Sequence, residues 1–155
     1  LQAWQAAGRA LTTELPLLRP TTFTAEGRDT RVDADYVRAF LQTSRMHLVD
    51  ARSPDRFRGE NETIDPVGGH IPGAVNRFFR ENLRADGRFK PAAELRAEWL
   101  MVLAGASPEQ VVHQCGSGVS ACHNILAMEI AGLPGSRLYA GSWSEWCADC
   151  GRPVA

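Results

Sequence analysis

The sequence predicts an α/β domain built around a central, mainly parallel β-sheet that is flanked by helices on both faces. Short apolar runs suited to buried strands alternate along the chain with longer segments whose apolar residues recur at helical spacing. The runs are apolar throughout, as in strands covered on both faces. In such a sheet the ligand site is expected beyond the carboxyl ends of the strands.

The composition is that of an ordinary globular domain. Apolar residues make up 44% and charged residues 23% of the 155 residues, close to the averages for globular proteins. The longest nearly unbroken apolar stretch, residues 99–106, falls well short of the roughly 18 residues needed to cross a bilayer. With a net charge of -1 there is no basic excess for nucleic acid or an anionic membrane. We therefore expect one domain that contacts neither.

The four cysteines are too few and too clustered for the disulfide framework of a small secreted domain. They are Cys115, Cys122, Cys147 and Cys150. This usage indicates a reducing compartment, and we expect a cytoplasmic protein.

The first thirty residues differ in character from the rest. Residues 1–11 are typical of a short amphipathic helix that ends at Gly8, and residues 12–30, rich in Thr and Pro, are typical of an extended linker. Trp4 with the Gly-Arg pair that follows it resembles Trp146 and its own Gly-Arg pair. Coincidence between two short helices is the alternative. Since the chain also starts at Leu1 rather than Met, we expect residues 1–11 to be the tail helix of a preceding domain of the same kind.

The domain itself is expected over residues 31–155. Asp33 is a plausible N-cap, Pro91 a helix start, and Gly132 a helix end. In the helix after residue 118, an apolar stripe at helical spacing predicts the buried face, with Cys122 as a small packed residue. That stripe comprises Val119, Cys122, Ile125, Leu126 and Ile130. The predicted order is helix from 33, strand 47–51, strand within 68–76, helix 91–105, strand 111–114, helix 119–132, strand 137–140 and helix 142–148.

A cysteine follows the buried strand 111–114 directly, and small residues then lead into a helix. In this position the sulfur of Cys115 faces a ring of backbone N–H groups at a helix N-terminus, which favours thiolate over thiol. A buried, inert cysteine on a tight turn is the alternative. Two glycines and a serine immediately after Cys115 favour the reactive cysteine, because a merely packed side chain needs no such backbone nest.

Two enzyme classes use a loop of this kind. A cysteine phosphatase needs an arginine six positions after the nucleophile to bind the phosphate, and here that position is Ala121. The phosphatase interpretation is therefore disfavoured. The neutral loop suits a small anionic sulfur group held on the cysteine itself.

Three motifs in order resemble the rhodanese (sulfurtransferase) family, specifically the catalytic C-terminal domain of tandem 3-mercaptopyruvate sulfurtransferases. The segment from Cys115 to Ala121 resembles the active-site loop of that subfamily, the His-Ile-Pro-Gly-Ala run at residues 70–74 its first signature, and residues 139–146 its C-terminal one. The resemblance covers about residues 31–155 and implies a rhodanese-like fold, with residues 31–155 as the catalytic domain and 12–30 as the linker from a preceding one.

The resemblance also implies the chemistry. Cys115 would take a sulfur atom from a donor as a persulfide and pass it to a thiol acceptor such as thioredoxin or a small dithiol, or to cyanide, by ping-pong covalent catalysis without metal or cofactor. Arg56 would hold the carboxylate of the substrate, and Arg52 would contribute nearby. The persulfide would lie against the backbone N–H groups of Gly116, Ser117, Gly118, Val119, Ser120 and Ala121.

The donor is expected to be 3-mercaptopyruvate, because thiosulfate enzymes of the family place basic side chains where Gly116 and Ser117 stand here. A thiosulfate sulfurtransferase with the same persulfide chemistry stays open, as does a non-catalytic module that carries sulfur or binds a partner protein. Many mercaptopyruvate enzymes also have a second arginine before the His-Ile-Pro-Gly run; residues 60–67 contain none, and Arg58 is the nearest substitute.

Two further signals are given structural interpretations. His70 lies in a tight turn, where a hydrogen bond from its ring to the backbone is the usual role. Cys147 and Cys150 have the spacing of half a zinc site, but no second pair accompanies them, so a helical pair or a disulfide formed under oxidation fits better.

Overall fold

The central element of the computed structural model, which describes residues 1–25, 27 and 29–155, is a five-stranded sheet. Every pair of neighbouring strands in it is parallel, and the strand order is β1-β5-β4-β2-β3. The strands are β1 (Arg31–Val32), β2 (His47–Asp50), β3 (Val75–Asn76), β4 (Val111–Gln114) and β5 (Arg137–Tyr139). The predicted α/β class and parallel sheet are confirmed.

Helices cover both faces of this sheet. Helices α2 (Ala34–Phe40) and α6 (Ser142–Cys147) pack on one face, and α4 (Ala92–Leu103) and α5 (Val119–Ile130) pack on the other. The remaining helices are α1 (Gln2–Ala6), α3 (Pro54–Phe57) and short 3-10 helices at Phe79–Asn82 and Pro108–Gln110. Within the described residues, no helix is long and apolar enough to cross a membrane.

Successive residues of the central strands point to opposite faces and fill two separate cores. On one face, Leu48 and Val112 pack with Trp143 and Trp146 of α6 and with residues of α2. On the other, Val49 of β2 and Val111 of β4 pack with Leu95, Trp99 and Leu103 of α4 and with Ala127 and Met128 of α5. The sheet is therefore buried on both sides, as the unbroken apolar runs predict.

Most predicted helix ends agree with the structure. The carboxylate of Asp33 accepts a hydrogen bond of 2.8 Å from the backbone N–H of Tyr36, which makes it the N-cap of α2. Pro91 is the N-cap of α4, one residue before the predicted position. Strand β1 was not predicted: its two residues follow the polar segment directly, and only pairing with β5 makes them a strand.

The predicted buried face of α5 is wrong for most of its residues, although Ile130 packs partly buried against one of the cores. Val119 is 76% exposed, Leu126 is 50% exposed, and Cys122, expected in the core, is exposed as well. The helix instead buries two alanines, an asparagine and a methionine, namely Ala121, Asn124, Ala127 and Met128. Small side chains allow the helix to approach the sheet closely, and Asn124 is satisfied there by hydrogen bonds to Asn82 and to the carbonyl of Arg77.

The N-terminal segment lies outside the two cores. Helix α1 is short and has no buried residue, and Gly8 has the left-handed φ of +67° predicted for it. From residue 11 to residue 25 the chain has no regular secondary structure, and Leu15, Leu17 and Leu18 are exposed. Two residues of the predicted linker, Glu26 and Arg28, lie outside the described residues. The division into tail helix, linker and domain remains a prediction.

Candidate active site

A cleft of about 460 Å³ opens at the carboxyl edge of the sheet, where a parallel sheet places its ligand site. Strand β4 ends one residue before Cys115, and β2 ends shortly before Arg52 and the helix that carries Arg56. Cys115 and both of these arginines line the cleft. The topology thus brings together side chains that are about sixty residues apart in sequence.

Helix α6 supports the loop that follows Cys115. The backbone N–H of Cys115 donates to the hydroxyl of Ser142 at 3.1 Å, and this hydroxyl donates to the carbonyl of Tyr139 at 2.9 Å. The N–H groups of Trp143 and Ser144 donate, each at 3.0 Å, to the carbonyls of Cys115 and Gly116 respectively. The first carbonyls of the loop are therefore bound by α6.

The amide groups of the loop, in contrast, are unused. Among the described residues, no acceptor receives a hydrogen bond from the backbone N–H of any residue from 116 to 121. Unpaired backbone N–H groups beside a cleft are suited to an anion, and the last three of them also form the first turn of α5, where the helix dipole favours negative charge.

The curl of this loop depends on Gly118. Its φ is +83°, and a Cβ atom placed on it would lie 2.8 Å from the carbonyl oxygen of Ala140. Only glycine meets both conditions without strain. At Gly116, by comparison, an added Cβ would meet Arg56 Nη1 at 3.7 Å, an ordinary contact that also shows how near this guanidinium lies to the loop.

Cys115 lies at the inner end of the loop and is only 2% exposed. Its buried neighbours are Ala51, at the end of β2, and Ala121 of α5. All four cysteines are free, so the thiol of Cys115 is available for chemistry.

Arg56 is held at the cleft by two acids. Its Nη2 lies 2.7 Å from Glu62 Oε1 and 3.3 Å from Asp65 Oδ2, and the arginine side chain is 20% exposed. Burial raises the pKa of Glu62, but hydrogen bonds from Arg56 and from the amides of Ile64 and Asp65 outweigh it and leave this pKa below its usual value. Glu62 is therefore a carboxylate at neutral pH and fixes the guanidinium in place.

Arg52 is engaged on every side. Its guanidinium binds Asp50 at 2.8 Å and the carbonyl of Gly69 at 2.8 Å, approaches Glu62 at 3.5 Å, and lies over the ring of Trp143. The side chain is 1% exposed. Through these contacts Arg52 connects the end of β2 to the segment before the His-Ile-Pro-Gly run.

Arg58 does not line the cleft. It forms an exposed ion pair with Glu60 at 2.8 Å, so it does not replace the second arginine that the sequence lacks.

The turn after β3 forms a further wall of the cleft that sequence reasoning missed. Phe78, Phe79 and Arg80 line it, and the last two residues belong to the 3-10 helix Phe79–Asn82. Their position after a predicted strand was the available signal, because carboxyl ends of parallel strands share one edge. Of the loop residues, Ser117 is exposed and Ser120 half-buried in the same cleft.

His70, Cys147 and Cys150, for which the sequence predicts structural roles, do not line the cleft. His70 Nδ1 is 2.9 Å from the carbonyl of Phe57, to which it can donate, and its ring stacks on that of Phe57. Cys147 is buried, which raises the pKa of its thiol, whereas Cys150 is exposed. Among the residues that the structure describes, no group of three His, Cys, Asp or Glu side chains could hold a metal ion.

Comparison with known families identifies the domain. Residues 33–149 match the family described as the rhodanese-like domain. The chain belongs to the rhodanese-like family. The resemblance drawn from the three sequence motifs is thereby confirmed, and with it the rhodanese-like fold.

Known rhodanese-like proteins match over nearly the whole chain. It is 49% identical over 156 residues, all of this chain, to a "Probable 3-mercaptopyruvate sulfurtransferase" of Pseudomonas aeruginosa. It is 37% identical over 147 residues, or 92% of the chain, to the thiosulfate sulfurtransferase of Rattus norvegicus. The solved structure of 3-mercaptopyruvate sulfurtransferase from Leishmania major superposes with a TM-score of 0.76 at 32% identity over 99% of the chain.

These rhodanese-like relatives are longer than the chain. It covers 55% of the Pseudomonas aeruginosa protein, 49% of the Rattus norvegicus protein and 43% of the Leishmania major chain. The chain therefore spans about half the length of the relatives that it matches.

Proposed function

We propose that this domain is a sulfurtransferase that moves sulfur from a donor to an acceptor through a persulfide on Cys115. The observation that carries the proposal is the loop after Cys115, whose six backbone N–H groups have no protein acceptor among the described residues. A persulfide anion on Cys115 would give these groups an acceptor. Two relatives are named as sulfurtransferases, which supports the same class of reaction for this domain.

The reaction has two steps. In the first, the Cys115 thiolate attacks the sulfur of 3-mercaptopyruvate; a sulfur–sulfur bond forms, the carbon–sulfur bond breaks, and the enolate left behind takes a proton to become pyruvate. In the second, a thiolate or cyanide attacks the outer sulfur of the persulfide, and the Cys115 thiolate leaves. The amides of residues 116–121 would stabilise the negative charge on sulfur between the steps.

The proposed donor is 3-mercaptopyruvate, with its carboxylate near Arg56. Neutral Gly116 and Ser117 and the Pseudomonas aeruginosa relative support this donor, whereas the Rattus norvegicus relative favours thiosulfate as the second candidate. For the whole protein we propose a preceding rhodanese-like domain joined through residues 12–30, a cytoplasmic location, and a thiol acceptor such as thioredoxin or a small dithiol. The greater length of the relatives supports the preceding domain.

Mass spectrometry of the full-length protein tests the reaction. After incubation with 3-mercaptopyruvate, the peptide containing Cys115 should gain one sulfur atom, and Cys115→Ser should abolish turnover. Cys122→Ser is the matched control, because this cysteine is exposed on α5 and lies outside the cleft lining. A wild-type protein that gains no sulfur on Cys115, or a Cys115→Ser variant as active as wild type, would refute the proposal.

Steady-state kinetics test the donor. Arg56→Lys keeps a positive charge for Glu62 and Asp65 but loses the planar fork that binds a carboxylate at two points. We expect the KM for 3-mercaptopyruvate to rise about tenfold, and more than the KM for thiosulfate. The opposite order would reverse the donor assignment in favour of thiosulfate.

A further inference from the structure

We infer that Arg80 is a specificity-determining residue that attracts the anionic group of the donor into this cleft and binds it together with Arg56. The inference rests on the proposed function and deepens it, because it names the chemical feature that the cleft selects: a carboxylate or similar anion on a small sulfur donor. Arg80 lies outside the three sequence motifs and is distinct from Arg52 and Arg56.

The first step of the argument is the charge of the cleft without Arg80. Arg52 is paired with Asp50 at 2.8 Å, and Arg56 is paired with both Glu62 at 2.7 Å and Asp65 at 3.3 Å. All three acids are almost completely buried against these two guanidinium groups. Two positive charges thus face three formal negative charges, so these five side chains carry a net formal charge of -1 and supply no surplus positive charge for an incoming anion.

The second step is the position of Arg80. It lies in the short 3-10 helix Phe79–Asn82 after β3, lines the same cleft as Cys115, and is exposed. Across the described residues its side chain has neither an ion pair nor a hydrogen bond, and its guanidinium lies 5.8 Å from the centroid of the Phe79 ring. Arg80 is therefore the cleft arginine whose charge is not committed to a carboxylate.

The third step is the chemistry of recognition. A guanidinium with unused N–H groups binds a carboxylate at two points, and the attraction is stronger beside an apolar wall than in open water. Phe78, Phe79 and Val119 provide apolar surface in this cleft. The positive charge of Arg80 would offset the excess negative charge of the buried acids. The donor would then lie between Arg80 and the loop amides, with the sulfur of the donor toward Cys115.

Two alkylating reagents of nearly equal size test this inference without requiring turnover. Iodoacetate carries a carboxylate and iodoacetamide carries a neutral amide, and both alkylate a thiolate. The measurement is the rate constant for Cys115 with each reagent, followed by mass spectrometry in the full-length protein. The ratio of the two rate constants cancels any change in the reactivity of the thiolate itself and leaves the attraction for the anion.

We expect Arg80→Ala to lower the iodoacetate-to-iodoacetamide ratio by about threefold to tenfold, and Arg80→Lys to retain most of it. Arg84→Ala is the matched control: it removes the same charge from an exposed position four residues away that does not line the cleft, and should leave the ratio unchanged. The KM for 3-mercaptopyruvate should rise in Arg80→Ala and not in Arg84→Ala.

The outcomes separate this inference from the proposed function. An Arg80→Ala ratio equal to those of wild type and Arg84→Ala overturns the inference, even if Cys115 gains sulfur from the donor. Conversely, an Arg80-dependent ratio in a protein whose Cys115 never gains sulfur supports the anion site and refutes the sulfurtransferase.

Discussion

The loop of Cys115 is held through its backbone by hydrogen bonds with α6. The carbonyls of Cys115 and Gly116 accept hydrogen bonds from α6, while the next amides of the loop donate to no acceptor among the described residues. A loop that uses its carbonyls on one side presents its N–H groups on the other. Residues 116–121 can therefore be small and neutral and still bind an anion.

Gly118 is the residue on which this loop conformation depends. Gly118→Ala places a Cβ at a φ of +83° and 2.8 Å from the carbonyl of Ala140, so we expect a loss of about 1–3 kcal/mol in the free energy of unfolding and slower persulfide formation. Gly87→Ala separates the two causes, because Gly87 has a φ of +78° but no neighbour within 4 Å. It should cost only about 1 kcal/mol. Equal losses in urea unfolding would contradict the close contact at Gly118.

His113 in β4 gives the protein a defined sensitivity to acid. Complete burial, with a smaller effect of His47, lowers the pKa of His113 from 6.5 to about 3. Between about pH 6.5 and pH 3, His113 is protonated in the unfolded chain but neutral in the folded chain. The free energy of unfolding therefore falls as the pH decreases through this range. The loss between about pH 7.5 and 5.5 should be about 1.4 kcal/mol.

Urea unfolding of wild type and His113→Leu at the two pH values measures this contribution. The difference in unfolding free energy between the two pH values should be smaller in the variant by the amount given above. Met128→Leu removes the sulfur that lies 3.1 Å from His113 Nε2 but keeps the imidazole, and should behave like wild type. Identical pH dependence in His113→Leu and wild type would contradict the burial argument.

The residues of the site differ in how far sequence could predict them. Cys115 and the glycines after it predict an anion-binding loop between a strand and a helix. This prediction is possible because a reactive cysteine in such a loop needs those residue types close together in sequence. Arg80 carries no local signal, since its importance depends on which other arginines are already paired with acids. Each arginine has several acids within ten residues, and only the folded structure shows which of them it pairs with.

At the scale of elements, α6 connects the C-terminal signature to the chemistry. Its first residues, Ser142, Trp143 and Ser144, bind the loop of Cys115, and its two tryptophans fill one of the cores. Helix α6 therefore fixes the loop to the body of the domain. Residues 139–146 are recognisable as a motif although none of them is the nucleophile.

Ser142 offers a test of this support. It has a φ of +56°, which is strained for a residue with a side chain, and its hydroxyl links the Cys115 amide to the Tyr139 carbonyl. Ser142→Ala should lower the unfolding free energy by about 1–3 kcal/mol and slow persulfide formation. Ser142→Gly should slow it equally but recover about 1 kcal/mol, because glycine accepts the backbone conformation. Unchanged persulfide formation in both variants would show that α6 does not hold the loop.

Helix α5 shows why the sequence predicts an element better than its orientation. Residues on both faces of α5 recur at helical spacing. The spacing therefore predicts a helix but does not show which face is buried. The more apolar face was predicted to be buried. The buried face instead carries Ala121, Asn124 and Ala127. Small alanines let the helix pack closely, and Asn124 has a hydrogen-bond partner there. Hydrophobicity alone could not reveal that a polar Asn124 has buried partners.

At the scale of the whole molecule, the parallel α/β architecture follows from the alternation of apolar strands and helices, and the structure confirms it. The preceding domain is part of our proposal for the whole protein. It is consistent with the exposed apolar side chains of Leu15, Leu17 and Leu18 and with the greater length of the relatives.

The central claim is that sulfur passes through Cys115, and a single-turnover chase tests it most directly. The full-length protein is loaded with 3-mercaptopyruvate, freed of donor, and then given cyanide. We predict one thiocyanate for each sulfur atom that mass spectrometry finds on Cys115, with the added mass disappearing at the same rate. Thiocyanate that forms only while donor is present, or an added sulfur that cyanide does not remove, would contradict the account.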